Sequence, residues 1–368
     1  MLHPAIRRVG RFFAGHLDQP LLGSVLLLMV TGLLVLYSAS NGSMMRVSTQ
    51  FLNMAIALGV MWLFANIPPH YLTRLAVPVY LVGLILLLGV AFFGQIVNGA
   101  RRWLDLGVTR VQPSELMKVA APLMLAWYFD RYEATLRLKN YVIAAVLLLI
   151  PVMLIARQPD LGTAVLILAS GCYVIFLAGL SWRIIIGLAL AGAASLPVVW
   201  SILHDYQRQR ILTLLDPSKD PLGAGYHTIQ STIAVGSGGL AGKGWLSGSQ
   251  THLDFIPERT TDFIFAVYSE EFGLIGTGIL LMLFLLVIAR GAAITATAPT
   301  LFARLMGGAI TLTFFTYAFV NMGMVSGILP VVGVPLPLIS YGGTSLVTIC
   351  LGFGILMSIH THKKLVQS

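Results

Sequence analysis

The stretch FIFAVYSEEFGLIGTGILLMLFLLVIA, residues 263–289, is apolar or neutral except for Glu270 and Glu271. A helix needs about 20 mostly apolar residues to cross the hydrocarbon core of a bilayer, and this stretch is longer than that. Over the whole chain of 368 residues, 57% are hydrophobic and 10% are charged, whereas a soluble domain has about 25% charged residues. The mean hydropathy is +0.87. The stretch therefore predicts a helical span of an integral membrane protein.

Other runs of the same character lie along the chain, and together they predict an all-α polytopic membrane protein with about ten transmembrane helices. The predicted spans are residues 21–37, 51–67, 75–93, 114–129, 141–156, 161–180, 184–203, 263–289, 305–325 and 344–359. We expect one integral membrane domain covering residues 1–368. Cys172 and Cys350 lie inside predicted spans, so neither a disulfide nor a thiolate metal site is expected.

The distribution of basic residues predicts the orientation. Ten spans place both termini on one side of the membrane, and in the short loops Lys and Arg are concentrated on that side. Such loops stay in the cytoplasm, so both termini are predicted to be cytoplasmic. Most carboxylates lie on the opposite, outer side. The formal net charge of +9 then reflects topology, and no nucleic-acid partner is predicted.

Three outer segments are predicted to converge on one outward-facing site. The first is the long loop between spans 7 and 8, residues 204–261, because loops of that length are usually functional. The second, residues 94–115, mixes apolar and charged residues. The third, residues 327–343, is apolar but rich in proline and glycine, and irregular backbone at membrane depth is tolerated only when it is buried in protein or lines a cavity.

The glycine-rich sequence GSGGLAGKGWLSGSQ, residues 236–250, does not predict a nucleotide site. It lacks the first glycine of a P-loop and the Ser or Thr that follows the lysine. It fits the weaker dinucleotide pattern, but without the strand and helix that this pattern requires. It also lies on the outer side, where ATP and NAD are not supplied.

Charged residues at the outer ends of spans have two interpretations each. Glu115 and Lys118, one helical turn apart, either form an internal ion pair that fixes helix packing or face a cavity. Glu270 and Glu271 are interpreted as structural. The basic residues of the outer side are either solvated loop charges or contacts for an anionic ligand, since guanidinium groups match phosphate geometry. The predicted contacts are Arg101, Arg102, Arg208, Arg210, Arg259 and Lys243.

Asp262 stands where the chain passes from a polar segment into the eighth span. One interpretation is structural: Thr260 or Thr261 caps the helix, and an acid in the first turn is stabilised by the helix dipole. The dipole would keep the carboxylate ionised and make it a weaker base. The other interpretation is a chemical role. The local sequence leaves both open.

Several motifs occur in order along the whole chain. They are ARRWLDLG with QPSE (100–115), QPDLGTA (158–164), RQRILTLLDPSKDPLGAGYH (208–227), IAVGSGGLAGKGW (233–245), LDFIPERTTDFIFAVYSEEFG (253–273) and GILPVVGVPLPLISYGG (327–343). With these motifs the chain resembles the SEDS proteins, named for shape, elongation, division and sporulation. It is more similar to the rod-shape branch of that family than to the division branch.

The resemblance implies a peptidoglycan glycosyltransferase of the bacterial cytoplasmic membrane. Such an enzyme polymerises lipid II into β-1,4 glycan strands on the outer, periplasmic face during cell elongation. The family's essential aspartate corresponds to Asp262, which is then expected to act as general base, and Glu115 and Lys118 correspond to residues lining an outward cavity. Asp160, Ser340 and Tyr341 lie in the shared motifs and are expected to contact substrate.

The resemblance also implies partners. We expect a class B penicillin-binding protein to supply transpeptidation, together with other membrane proteins of the elongation complex. No cluster of metal ligands is visible in the sequence, so a divalent cation, Mg²⁺ or Mn²⁺, would be held mainly by the substrate pyrophosphate.

Two other classes compete with this enzyme. Intramembrane charges and broken apolar segments also fit a flippase or transporter of lipid-linked precursors, although a transporter needs polar residues in the inner halves of its spans. A non-catalytic scaffold that recruits a synthase is the third class.

Overall fold

A computed structural model describes residues 17–97, 100–105, 110–158, 160–202, 208, 212, 224–252, 255–256 and 258–362. Within these ranges the helices are α1 Gln19–Ala39, α2 Met44–Ala65, α3 Pro69–Phe93, α4 Pro113–Arg131, α5 Leu138–Ala156, α6 Leu161–Leu177, α7 Trp182–Ile202, α8 Ala224–Ser237, α9 Ile264–Ala296, α10 Leu301–Val325 and α11 Thr344–Thr361. Two further helical segments are short, Glu133–Thr135 and Ser249–His252.

Each of the ten predicted spans coincides with one of these helices, and α8 is an additional helix inside the long loop. In the described part of the chain, seven helices are long and apolar enough to cross a membrane. These are α1, α2, α3, α5, α9, α10 and α11. The prediction of a helical membrane protein is confirmed, while the span count and the side of the termini stay predictions.

Proline and capping residues define where several helices begin. Proline occupies the first position of α3 and of α4, where its missing N–H costs no hydrogen bond. Asp18 caps α1 by accepting from the Leu21 amide at 3.0 Å. The Asp18 carboxylate also accepts two hydrogen bonds from Arg290 of α9 at 2.9 and 2.5 Å, so it joins the ends of two helices.

A small antiparallel sheet connects α3 to α4. Its strands are β1 Gln95–Val97, β2 Ala100–Asp105 and β3 Arg110–Val111, in the order β1-β2-β3. Ile96 pairs with Arg101, and Leu104 pairs with Val111. The mixed composition of this segment predicted an outer loop without indicating strands, so the sheet is an addition to the predicted fold.

The helix α9 is broken at Gly273, whose φ of 64° and ψ of −163° are not helical. Residues 238–248, which we call the glycine loop, provide the hydrogen bonds that the break removes. The amides of Lys243 and Gly244 donate to the carbonyls of Glu270 and Glu271, each at 3.0 Å. On the other side of the break, the Leu274 and Ile275 amides donate to glycine-loop carbonyls at 2.9 and 3.1 Å. Each half of α9 therefore ends in satisfied backbone groups.

Residues 326–343 form an irregular segment, the apolar loop, between α10 and α11. Val334, Leu336, Leu338 and Ile339 in this loop are buried. Its backbone lies close against α1, where a Cβ on Gly32 would come within 2.9 Å of the Ile339 Cα. The loop is thus irregular backbone buried in protein, as its prolines and glycines predict.

Candidate active site

The turn formed by residues 260–263, just before α9, is fixed by the apolar loop. The Ser340 hydroxyl donates to the Thr261 carbonyl at 2.6 Å, and the Tyr341 amide donates to the Thr260 carbonyl at 2.9 Å. Both predicted substrate contacts, Ser340 and Tyr341, therefore lie beside the segment that carries Asp262. The Ser340 hydroxyl also accepts from the Leu336 amide at 2.8 Å.

A single side chain of α10 joins Asp262 to the apolar loop. The Nδ2 of Asn321 donates to the Asp262 carbonyl at 2.8 Å and to the Val334 carbonyl at 2.7 Å. The neighbouring Gly333 has a φ of 71°, and a Cβ there would lie 3.3 Å from the Oδ2 of Asp262. The Asp262 carboxylate thus lies directly against the apolar loop.

Asp262 does not cap α9. The residue in the cap position is Phe263, and no side chain makes a capping hydrogen bond there. The interpretation in which Thr260 or Thr261 caps the helix and Asp262 lies in its first turn is therefore wrong. Burial, with a smaller contribution from the carboxylate of Glu258, raises the pKa of Asp262 to about 6. The expectation that the helix dipole makes Asp262 a weaker base is therefore wrong as well, because desolvation outweighs the dipole.

Glu115 and Lys118 form the ion pair that their spacing predicts, with 2.6 Å between Oε1 and Nζ. Thr348 of α11 donates to the second oxygen of Glu115 at 3.2 Å. The ammonium of Lys118 also lies 5.4 Å from the centroid of the Tyr317 ring on α10, a cation–π distance. Both charged side chains are largely buried, with 15% of Glu115 and 10% of Lys118 exposed.

A mainly apolar cleft extends from this pair between α4, α10 and α11. Lys118, Tyr317 and Thr348 line one part of it, and the remaining lining residues are Val119, Pro122, Met306, Ala309, Ile310, Thr313, Phe314, Ile349, Gly352 and Phe353.

Asp160 accepts hydrogen bonds from two other residues of the protein. It caps α6 by accepting from the Thr163 amide at 3.3 Å. Gln112, directly before α4, donates to its second oxygen at 3.4 Å. Asp160 therefore links the starts of α4 and α6, close to the segment that carries the Glu115–Lys118 pair.

The predicted cationic contacts that lie in the described residues have partners in several separate segments of the chain. Arg208 donates to the Trp200 and Ser201 carbonyls at the end of α7, at 2.9 and 2.8 Å. Arg259 donates to the carbonyl of Thr251. These contacts with carbonyls show how two of the arginines are held in the protein.

The remaining described cations lie on β2 and in the glycine loop. Arg101 is exposed and Arg102 is half-buried on β2, whereas Lys243 contacts Ser249 and Glu270, each at 2.7 Å. Arg210 lies outside the described residues.

Glu270 is the carboxylate that holds the glycine loop and the residues after it. Besides Lys243, it accepts hydrogen bonds from the Ser249 hydroxyl, the Gln250 amide, and the amide and hydroxyl of Thr251, at 2.9–3.3 Å. Glu271 accepts from the Ser38 hydroxyl of α1. These contacts agree with the structural interpretation of both glutamates.

Two residues that position this site were missed in the sequence. Asn321 and Gln50 are uncharged residues of apolar helices, and both are fully buried. Gln50 donates to the Ser340 carbonyl and accepts from the Gly342 amide, each at 3.2 Å. The signal for each in the sequence is an uncharged amide inside an apolar run. Among the described residues, no group of three His, Cys, Asp or Glu side chains has the arrangement of a metal site.

Comparisons with known proteins agree with the motifs. Residues 19–365 match the family described as Cell cycle protein, which covers FtsW, RodA and SpoVE. The peptidoglycan glycosyltransferase MrdB of Escherichia coli K12 is 53% identical over 353 residues, which cover 96% of this chain and 95% of that protein.

Solved structures are similar over nearly the whole chain. One reports the structural coordination of polymerization and crosslinking by a peptidoglycan synthase complex, and its matching chain has a TM-score of 0.81 and 36% identity, covering 93% of this chain and 97% of that chain. A mutant of the rod shape determining protein RodA from Thermus thermophilus has a TM-score of 0.72 and 30% identity, covering 94% and 98%.

Proposed function

The chain belongs to the FtsW, RodA and SpoVE family of cell cycle proteins, and from this premise we propose that it polymerises lipid II with Asp262 as general base. It is a bacterial membrane protein and a peptidoglycan glycosyltransferase of the rod-shape branch. The proposed reaction takes place on the periplasmic face of the cytoplasmic membrane, during cell elongation.

The observation that carries this proposal is the environment of the Asp262 carboxylate. It lies against the apolar loop at Gly333, its backbone is held by Asn321, and its pKa is raised to about 6. A general base is most effective when its pKa lies near the working pH. At pH 7 this carboxylate is mostly ionised, and it is a stronger base than an ordinary aspartate.

The proposed step needs one base. As the acceptor 4-hydroxyl attacks the anomeric carbon of the donor, its proton passes to the Asp262 carboxylate. The bond from that carbon to the pyrophosphate breaks, undecaprenyl pyrophosphate leaves, and the α-linked phosphate is replaced by a β-1,4 bond. Because pyrophosphate is already a good leaving group, the acid and base pair of glycosidases is not required.

The leaving pyrophosphate carries negative charge that needs stabilisation. We propose that the largely buried Lys118 stabilises this charge. It lines a mainly apolar cleft, which could hold the lipid chain attached to the pyrophosphate. We further propose that a divalent cation, Mg²⁺ or Mn²⁺, is bound mainly through the substrate pyrophosphate. It would neutralise charge on the leaving group.

We propose that a class B penicillin-binding protein is the partner that crosslinks the product. The similar chain from a peptidoglycan synthase complex that coordinates polymerization and crosslinking supports this proposal.

The test is polymerisation of labelled lipid II by the purified protein with its partner. The isosteric Asp262→Asn variant should lower the rate about 10²- to 10⁴-fold, the usual contribution of general base catalysis. A Thr316→Val variant, which removes a hydrogen bond between α10 and Tyr173, is the control and should retain the rate. Wild-type polymerisation by Asp262→Asn would exclude Asp262 as the base. Lipid II transport in sealed vesicles without any polymerisation would favour the flippase.

A further inference from the structure

Asn321 connects the two backbone segments that lie on either side of the Asp262 carboxylate. Its Nδ2 donates both of its hydrogens, one to the Asp262 carbonyl and one to the Val334 carbonyl. These acceptors are 59 and 13 residues away in the sequence. A side-chain amide has two donors on one nitrogen, so this geometry holds both carbonyls at a fixed separation.

That separation determines how the carboxylate meets the apolar loop. Val334 follows Gly333, the residue whose absent Cβ would lie 3.3 Å from the Asp262 Oδ2. Holding the Val334 carbonyl therefore holds the backbone of Gly333 next to the carboxylate, and holding the Asp262 carbonyl fixes the turn from which the carboxylate extends. One amide thus controls both sides of the contact.

The Oδ1 atom of Asn321 indicates that this residue does more than stabilise the fold. The side chain is 0% exposed, yet its Oδ1 is buried and has no hydrogen-bond partner among the described residues. An unsatisfied buried acceptor lowers stability. Violations of this kind are expected where geometry serves function.

We propose that Asn321 is a positioning residue for the reaction, which holds the Asp262 carboxylate in its half-buried position against Gly333. The inference rests on the proposed function of Asp262 as the base. If Asn321 is lost, the carboxylate is free to turn toward water, so that it leaves the acceptor hydroxyl and regains a more ordinary pKa.

The first test is Asn321→Leu, which removes both donors while keeping similar volume. In the lipid II polymerisation assay we expect kcat to fall about 10- to 100-fold, the effect of misplacing a catalytic group, with KM within about twofold of wild type. The acid limb of the pH–rate profile should also move to lower pH, because release from burial lowers the pKa of Asp262. Glu258, the other carboxylate that influences this pKa, is unchanged.

The second test keeps Asn321 and changes the other side of the contact. Gly333→Ala places a methyl group against the carboxylate. Gly327→Ala in the same loop is its matched control, because Gly327 has a nearly equal φ of 73° and its Cβ would meet Thr232 instead. Both substitutions place an alanine at a nearly equal positive φ, so Gly333→Ala should lower kcat about fivefold or more relative to Gly327→Ala at equal thermal stability.

A folded Asn321→Leu protein with wild-type kcat and an unmoved acid limb would overturn the inference. If Asn321→Leu does not fold, equal losses from the two glycine substitutions would overturn it. The role of Asp262 is decided separately by Asp262→Asn. Full activity of that variant would refute the proposed function, whereas an inactive Asp262→Asn with unaffected Asn321→Leu would refute the positioning role alone.

Discussion

Lys243 and Glu270 form an ion pair, with 2.7 Å between Nζ and Oε1, that ties the glycine loop to the upper half of α9. Glu270 is fully buried and Lys243 is 28% exposed. The pair stands beside the break at Gly273, where loop amides replace the missing helical hydrogen bonds. Lys243 stays a predicted substrate contact, and its ion pair with Glu270 also gives it a structural role that can be measured.

Removing one member of this pair should affect stability in proportion to burial. Glu270→Ala removes five hydrogen-bond contacts and should cost about 3–5 kcal/mol, the usual effect of breaking a buried pair. Lys243→Met should cost less, because the backbone and hydroxyl donors to Glu270 remain. Thermal unfolding in detergent measures both, and an equal or smaller loss for Glu270→Ala would contradict this account.

The pKa of Asp262 predicts the pH dependence of polymerisation. A general base acts when it is deprotonated, so kcat/KM should rise with pH and reach half its plateau near pH 6. An aspartate with an ordinary pKa of about 3.9 would give a flat profile between pH 5 and 8. The measurement is the initial rate of lipid II polymerisation across that range, and a flat profile would contradict the raised pKa.

The negative charge of Glu258, the smaller of the two causes of the raised Asp262 pKa, gives a separate test. Glu258→Gln removes a negative charge, so the pKa of Asp262 should fall and the acid limb should move to lower pH. Because Glu258 is exposed, solvent screening limits the shift to well under one pH unit. A shift toward higher pH would have the wrong sign. Glu133→Gln, far along the chain on a short helical turn, serves as the control.

The Glu115–Lys118 pair allows packing to be separated from catalysis. Lys118→Met leaves the Glu115 carboxylate largely buried without its cation, so stability and activity should both fall. The double variant Glu115→Gln/Lys118→Met removes both charges and should regain most of the thermal stability, since a buried pair replaced as a unit is often neutral. We expect its polymerisation rate to remain at least tenfold below wild type.

Recovery of full activity in that double variant would show that the pair serves helix packing alone. Recovery of stability without activity supports the proposed role of Lys118 toward the substrate. Activity is measured at saturating lipid II, so that weaker binding does not mimic a slower step.

The Asp18–Arg290 pair predicts a pH-dependent contribution to stability. Although burial raises the pKa of Asp18, hydrogen bonds from Arg290 and the Leu21 amide outweigh it, and the pKa lies below its usual value. A lowered folded pKa stabilises the protein above the unfolded value of about 3.9, and this contribution is lost as the pH falls through the folded value.

Asp18→Asn should therefore lower the free energy of unfolding by about 1.5–3 kcal/mol at pH 7, the range for charged hydrogen bonds. Below about pH 4, the difference between Asp18→Asn and wild type should begin to shrink, and it should disappear once the pH is below the lowered folded pKa of Asp18. Thermal unfolding of both proteins from pH 7 to pH 3 measures it. A difference that grows on acidification would contradict the lowered pKa.

Hydropathy predicted where the helices lie because the bilayer imposes the same requirement on every span. Residues 263–289 and the other predicted runs each overlap one helix, with differences of a few residues at some ends. The break at Gly273 was not predictable in the same way. Glycine is common in membrane helices, and the break depends on amides of Lys243 and Gly244 that come from a distant part of the chain.

For the candidate site, the sequence predicts the residue but not the direction in which its pKa is shifted. Family motifs identify Asp262, yet the local argument from the helix dipole gives the wrong direction for its pKa. The direction depends on burial by the apolar loop, which follows α9 and α10 in sequence. Asn321 could not be identified from the sequence either. Its two acceptors, the carbonyls of Asp262 and Val334, come close to its side chain only in the folded chain.

The break in α9 at Gly273 also bears on how the position of Asp262 responds to changes in membrane thickness. Residues 274–296 belong to a hydrophobic span, and such spans tilt when bilayer thickness changes. Residues 264–272 are attached through Glu270 and Glu271 to the glycine loop and α1. We therefore expect residues 274–296 to tilt about the non-helical Gly273 when the length of the lipid chains varies, while the carboxylate keeps its place.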